Sequence, residues 1–329
     1  MKLVKAEILW SRKCNLNCSY CGMTDGRSNT LTLNEWKHGI DNLKELGCGF
    51  IAFYGAEPLL EFDKLPYVID YAERLGIYTT VITSGLVPNF KRKLDWLYAN
   101  NLRSLSMSYD MVPLDKSSEA KMRKTLNHLS CWNTNPGIRD SAAIATVTRN
   151  NFKELVNTAS SLSMFDIWLF FDFIHWDRGQ PGSKCKNFKG IDKLKFEDGD
   201  LYNLIDQLDL LYHLRDSLKI HTSVPFLNMI RNDPELLIRY DWNCADYDVF
   251  PSWVTVDCDG FVYPCDDFQL EVPKPIYIYE LADNWDWFGD IWRPIVKEQC
   301  PGCLWNTHLD SHFIKEGKLP MSDFTHTEK

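Results

Sequence analysis

Up to about residue 175, short apolar runs alternate with longer stretches in which apolar residues recur at helical spacing. The short runs predict strands at Val4 to Leu9, Phe50 to Tyr54, Ile77 to Ile82, Ser104 to Ser108, Ala143 to Thr148 and Ile167 to Phe173. The longer stretches predict helices. Over Asn34 to Leu46, for instance, Trp36, Ile40, Leu43 and Leu46 share one face, behind the cap candidates Thr32 and Asn34. Phe62 to Leu75, Lys91 to Asn100, Glu119 to Leu129 and Phe152 to Leu162 follow the same pattern. Alternation of this kind builds consecutive strand-helix units around a parallel sheet. Six strands are too few to close an eight-stranded barrel and enough for a partial one, so the fold class is α/β, a partial (β/α)6 barrel.

The pattern then changes twice. Gly179 to Gly190, rich in glycine and lysine, reads as a loop, and Asp200 to Leu218 as a helix with Leu201, Leu204, Ile205, Leu208 and Leu211 on one face. After Trp242, cysteines, tryptophans and turn residues replace the alternation, and Ser252 to Cys265 reads as a hairpin turning at Asp259-Gly260. The expected division is a barrel over 1–190, a helical connector over 191–240, a small metal-stapled domain over 241–312 and a tail over 313–329.

Bulk properties narrow the function. The 329 residues carry a formal charge of -9, which gives no basic footprint for a phosphate backbone and disfavours nucleic acid as partner. The first ten residues alternate charged and apolar side chains instead of forming a signal peptide, and no run reaches the length of a membrane span. A cytoplasmic protein is expected. In that setting the eleven cysteines point to metal or redox chemistry and away from a disulfide framework.

Cys14, Cys18 and Cys21 follow the first predicted strand directly, so three thiolates can converge on one metal centre. A zinc site or a chance clustering are the plain alternatives. An iron-sulfur cube normally takes four thiolates, so a loop supplying three leaves one iron open to another ligand.

This spacing, CxxxCxxC with Tyr20 before the third cysteine, resembles the signature of the radical S-adenosylmethionine (radical SAM) enzymes. The resemblance implies that Cys14, Cys18 and Cys21 hold a four-iron cluster whose unique iron chelates S-adenosylmethionine, with Tyr20 beside the adenine. Three further strand ends are similar to family motifs, in order along the chain. Gly55-Ala56-Glu57-Pro58 resembles GGEP, where backbone groups meet the methionine ammonium and the glutamate reinforces the site. Ala56 departs from the second glycine, which its methyl group allows only if φ stays negative there. Thr83-Ser84-Gly85 is similar to the TNG turn, with Ser84 for asparagine, and Ser106-Met107-Ser108-Tyr109-Asp110 to the strand end whose Ser106, Ser108 and Asp110 would contact the methionine or ribose.

Cys244, Cys265, Cys300 and Cys303 form a second set. With Gly260 five positions before Cys265, the layout resembles the SPASM and Twitch extensions of the family, and the shorter Twitch form, with one auxiliary four-iron cluster on four protein ligands, matches better because no cysteine follows Cys303. A zinc ribbon is the alternative on the residues alone. Among the rest, Cys48 and Cys131 read as small buried hydrophobes, Cys185 as exposed, and Cys258 either as a buried thiol or as a ligand or hydrogen-atom donor. Asp172, His175 and Asp177 either face a substrate or cap a turn.

The resemblance implies one-electron cleavage of S-adenosylmethionine to a 5'-deoxyadenosyl radical, which abstracts a hydrogen atom from a sugar, aminocyclitol or nucleoside-like small molecule. The auxiliary cluster would take up the substrate electron, and an electron donor such as flavodoxin or ferredoxin would supply the first. With Cys258 as catalytic hydrogen donor the outcome is epimerisation instead. A peptide-modifying enzyme of the same family is a further alternative, although the first strand begins too near Met1 for a fused recognition region. A non-enzymatic zinc or iron-sulfur protein is the last.

Overall fold

The computed structural model describes residues 3–18, 21–110, 118–179, 190–247, 250–270, 272 and 274–322. One eight-stranded sheet organises them, in the order β6-β5-β4-β3-β2-β1-β7-β8. The strands β1 (Lys5–Ser11), β2 (Phe50–Gly55), β3 (Tyr78–Thr83), β4 (Ser104–Ser108), β5 (Asp140–Val147) and β6 (Trp168–Phe173) all run parallel. Each matches its predicted segment to within a few residues. The sequence places helices between them, as parallel neighbours require: α1 (Leu33–Glu45), α2 (Leu65–Arg74), α3 (Phe90–Ala99), α4 (Ser118–Asn133) and α5 (Leu155–Ser163). Of the two cap candidates before α1, Thr32 is the cap, closing a capping box with Glu35.

The C-terminal half is woven into the barrel. The hairpin of β7 (Trp253–Val256) and β8 (Val262–Tyr263) does not stand apart, because β7 pairs in parallel with β1, Lys5 opposite Trp253 and Ile8 opposite Val256. Around it lie α6 (Asp198–His213), the single turn α7 (Arg215–Leu218), α8 (Val224–Asn232), the turn α9 (Leu236–Arg239), α10 (Trp285–Gln299) and α11 (Asn306–Lys315).

Helix α11 ties β6 to β1, two strands that are not neighbours in the sheet. Its Asn306 donates its backbone N–H to Asp172 on β6, 3.2 Å, and Thr307 donates to Glu7 on β1, 3.2 Å. The contacts are polar because the seven consecutive buried positions from His308 to Ile314 include His308, Asp310, Ser311 and His312. Glu7 is held well below the usual carboxylate range: burial opposes ionisation, and the charges and hydrogen bonds of Lys5 and His308 outweigh it.

Candidate radical SAM site

The Cys14, Cys18 and Cys21 loop leaves the C-terminal end of β1, where a parallel barrel gathers its active-site loops. All three thiols are half-buried. The loop is pinned at its start. Ser11 Oγ accepts from Lys13 N at 3.1 Å, and Asn15 donates to the Leu86 carbonyl beyond β3 at 2.6 Å. Burial raises the Cys14 thiol, with Glu57, Cys18 and Cys21 adding to the rise, so the thiolates that bind metal need a positive partner here. That donor set suits an iron-sulfur cluster, and no residue of the loop supplies a fourth cysteine. Tyr20 lies outside the described residues.

The neighbouring strand ends are locked together by one carboxylate. Gly55 has φ +128° and sits so close to Ser11 that a Cβ would lie 2.4 Å from the Ser11 carbonyl oxygen, so only glycine fits. Ala56, which takes the second glycine's position, has no positive φ; its N–H donates to that same Ser11 oxygen at 2.9 Å. Glu57 is fully buried. One of its oxygens accepts from Thr83 Oγ1 at 2.7 Å and Leu59 N at 3.2 Å, the other from Ser84 N at 2.9 Å and Ser84 Oγ at 2.6 Å. Glu57 therefore fixes the turn after β3 from the end of β2. Ser106 lies inside the barrel, 3.3 Å from Thr80 Oγ1, and Ser108 ends β4 with its carbonyl accepting from Thr125. Asp110 is ion-paired with Lys121 of α4 at 3.2 Å, a partner that sequence reasoning missed.

Arg12, also missed, couples this loop to the C-terminal half. Fully buried, it donates through Nε and Nη2 to Asp257 at 2.9 and 2.8 Å and through Nη2 to Gln269 at 2.8 Å. Its place directly before the cysteine loop was the available signal. The Asp257 carboxyl is held low: burial works against ionisation, and Arg12 prevails.

Cys244, Cys265, Cys300 and Cys303 are also half-buried, and the charges of the other three add to the rise of the Cys265 thiol. Burial raises all four thiols. This set too fits a cationic centre by its donor chemistry. Among the described residues, no three Cys, His, Asp or Glu side chains are drawn together around a single metal ion. Arg178, at the end of the β6 segment, organises the surrounding backbone by donating to the carbonyls of Tyr240, Arg239, Pro301 and Gly302.

Cys258 is buried beneath the hairpin turn, its thiol pushed up to about 12 by burial and by Asp257 and Asp259. Cys48 is buried as expected and donates to the Phe50 carbonyl at 3.2 Å. Cys131 corrects the expectation of burial: it is exposed, because α4 turns its neighbours Leu129 and Trp132 inward instead. Cys185 lies outside the described residues. Asp172 and Asp177 serve backbone N–H groups, Asp172 those of Phe173 and Asn306, Asp177 that of Gly179. His175 stacks on Trp305 at 3.8 Å between ring centroids. Among the described residues, no helix is long and apolar enough to cross a membrane.

The radical SAM superfamily matches residues 8–128. An S-adenosylmethionine-dependent nucleotide dehydratase of Selenomonas ruminantium is 37% identical over 110 residues, 33% of this chain and 39% of the relative. A PqqA peptide cyclase of Streptomyces rochei is 35% identical over 79 residues, 23% of this chain and 21% of that one. The chain thus spans well under half the length of these relatives. In three dimensions, SuiB of Streptococcus suis bound to S-adenosylmethionine superposes with a TM-score of 0.66 at 17% identity, covering 95% of this chain and 74% of SuiB. The anSMEcpe structure with bound AdoMet and Cp18Cys peptide gives a TM-score of 0.54 at 16% identity, covering 86% and 79%. At such identities the likeness is one of fold. Residues 8–128 of this chain thus carry a match to the radical SAM superfamily, and the cofactors which that match implies are a four-iron, four-sulfur cluster and S-adenosylmethionine.

Proposed function

We propose that the chain is a radical SAM oxidoreductase acting on a small molecule, with Cys14, Cys18 and Cys21 holding the catalytic cluster and Cys244, Cys265, Cys300 and Cys303 an auxiliary four-iron cluster. The observation that carries this reading is the Glu57 clamp: one buried carboxylate ties the GAEP and TSG strand ends into a platform beside a three-cysteine loop. The chemistry that the cofactor pair supplies is reductive cleavage of S-adenosylmethionine, giving a 5'-deoxyadenosyl radical that removes a hydrogen atom from the substrate. This chain's residues bind and orient. The carbonyls of Gly55, Ala56 and Ser84 would face the methionine ammonium, since the Ala56 and Ser84 N–H groups are held by Ser11 and Glu57, while Ser106, Ser108 and Asp110 would contact the methionine or ribose. Tyr20 is assigned to the adenine.

The segment 241–312 is the proposed auxiliary-cluster unit, after the 1–190 barrel and the 191–240 connector, with 313–329 as tail. Its cluster would take up the substrate electron, making the net reaction a two-electron oxidation. The first electron would come from a protein such as flavodoxin or ferredoxin. The relatives are named for nucleotide and peptide chemistry and match only a third of this chain or less, so the substrate must be argued from this chain's own residues. Anaerobic iron and sulfide quantitation tests the two-cluster claim. About eight irons per chain are expected, falling to about four in Cys265→Ala or Cys303→Ala. Unchanged iron in both variants would overturn the auxiliary assignment.

A further inference from the structure

Barrel interiors of this kind are usually packed with bulky branched side chains. This one is not. A cavity of about 80 Å³ opens among Lys5, Glu7, Thr80, Ser104, Asp140 and His221, and its wall climbs through Ser106, Ile82 and Ile144 to just below the strand ends that carry Thr83 and Ser108. The space equals roughly five to eight water-sized bodies. It therefore admits a head group of about five or six heavy atoms and not a folded segment.

The chemistry of the floor selects the group. Asp140 is fully buried and accepts from Tyr78 Oη at 2.7 Å and from Ser104 Oγ, with His221 Nε2 at 3.8 Å. A carboxylate has about four lone-pair sites, so this one retains capacity to accept. Glu7 places a second carboxylate in the same chamber, where Lys5 is its partner. Two carboxylates against one ammonium, with the imidazoles of His221 and His308 beside them, favour a cationic donor over an anion or an apolar group. The hydroxyls of Thr80, Ser104 and Ser106, linked at 3.1 and 3.3 Å, can each donate or accept, which suits a hydroxyl-bearing frame.

We propose that this chamber, below the cofactor platform, receives the ammonium-bearing head of a compact amino-alcohol or amino-polyol substrate, with Asp140 as its anchoring acceptor. The assignment of that molecule as substrate rests on the radical SAM reading; the binding itself does not. Serinol (2-amino-1,3-propanediol) and glycerol are suitable probes, one with the amine and one without. Binding is measured by saturation-transfer NMR on the cluster-loaded protein with S-adenosylmethionine and no reductant. Serinol should bind saturably and glycerol more weakly. Asp140→Asn should weaken serinol about ten-fold or more, the scale of a lost charge-assisted hydrogen bond. Ala142→Val, which grows into the cavity from its apolar wall and leaves the Asp140 carboxylate in place, should abolish binding even if the Asp140 variant folds poorly. No serinol binding, binding unchanged in both variants, or glycerol binding equally well would overturn the proposal. Wild-type protein that releases no 5'-deoxyadenosine would instead contradict the radical SAM function and leave the chamber standing.

Discussion

Glu57 accepts four hydrogen bonds without contact with water, so both of its oxygens are committed to holding Ser84 and Thr83 in place. Glu57→Gln keeps one oxygen and turns the other into a donor that must face a donor. That should cost about 1–3 kcal/mol of stability and loosen the cofactor platform, read as a lower urea midpoint and weaker S-adenosylmethionine binding. An unchanged midpoint would show that the clamp is dispensable. Asp310 on α11 offers a second residue-level prediction. Burial pushes its carboxyl up to about 7, although Ser223 donates to it. The folded state then binds its proton more tightly than the unfolded chain, so stability should fall as pH rises from about 4 to about 7 and level off above that. Asp310→Asn should flatten part of that decline, as measured by urea unfolding at several pH values; an unaltered slope would contradict it.

At the scale of elements, six strands were legible as short apolar runs and five helices by an apolar face at helical spacing, as in α1 with its Thr32 cap. The joining of β7 to β1 was not. Hairpin patterning reports a local turn and is silent on which edge the first strand adopts. The Arg12–Asp257 pair spans 245 positions of sequence, a separation no local pattern reaches. It links the cysteine loop to that hairpin, and this makes it testable as a joint between the two halves. Arg12→Ala should cost toward the lower end of the about 3–5 kcal/mol typical of a broken buried pair, because Arg27 still reaches Asp257 at 2.9 Å. Unfolding in denaturant would measure it, and a loss below about 1 kcal/mol would place the joint elsewhere.

For the molecule as a whole, the cysteines, GAEP and TSG were visible in sequence because cofactor chemistry fixes residue type and spacing within a few positions. The polar chamber was not, although its signal was there. Ser104 and Ser106 alternate along β4 on the face that turns inward, and Asp140 opens β5, yet period two alone does not say which face is the lumen. The link that α11 makes between β1 and β6 was equally hidden, since a helix whose buried positions include Asn306, His308, Asp310 and His312 does not look like a core helix. These parts depend on what the barrel places opposite them. The cofactor site depends on a short stretch of chain, and its chemistry can be checked directly. Anaerobically reconstituted protein should release 5'-deoxyadenosine from S-adenosylmethionine when reduced, and the Cys14→Ala/Cys18→Ala/Cys21→Ala variant should release none. Equal release by both proteins, or none by the wild type, would contradict the account.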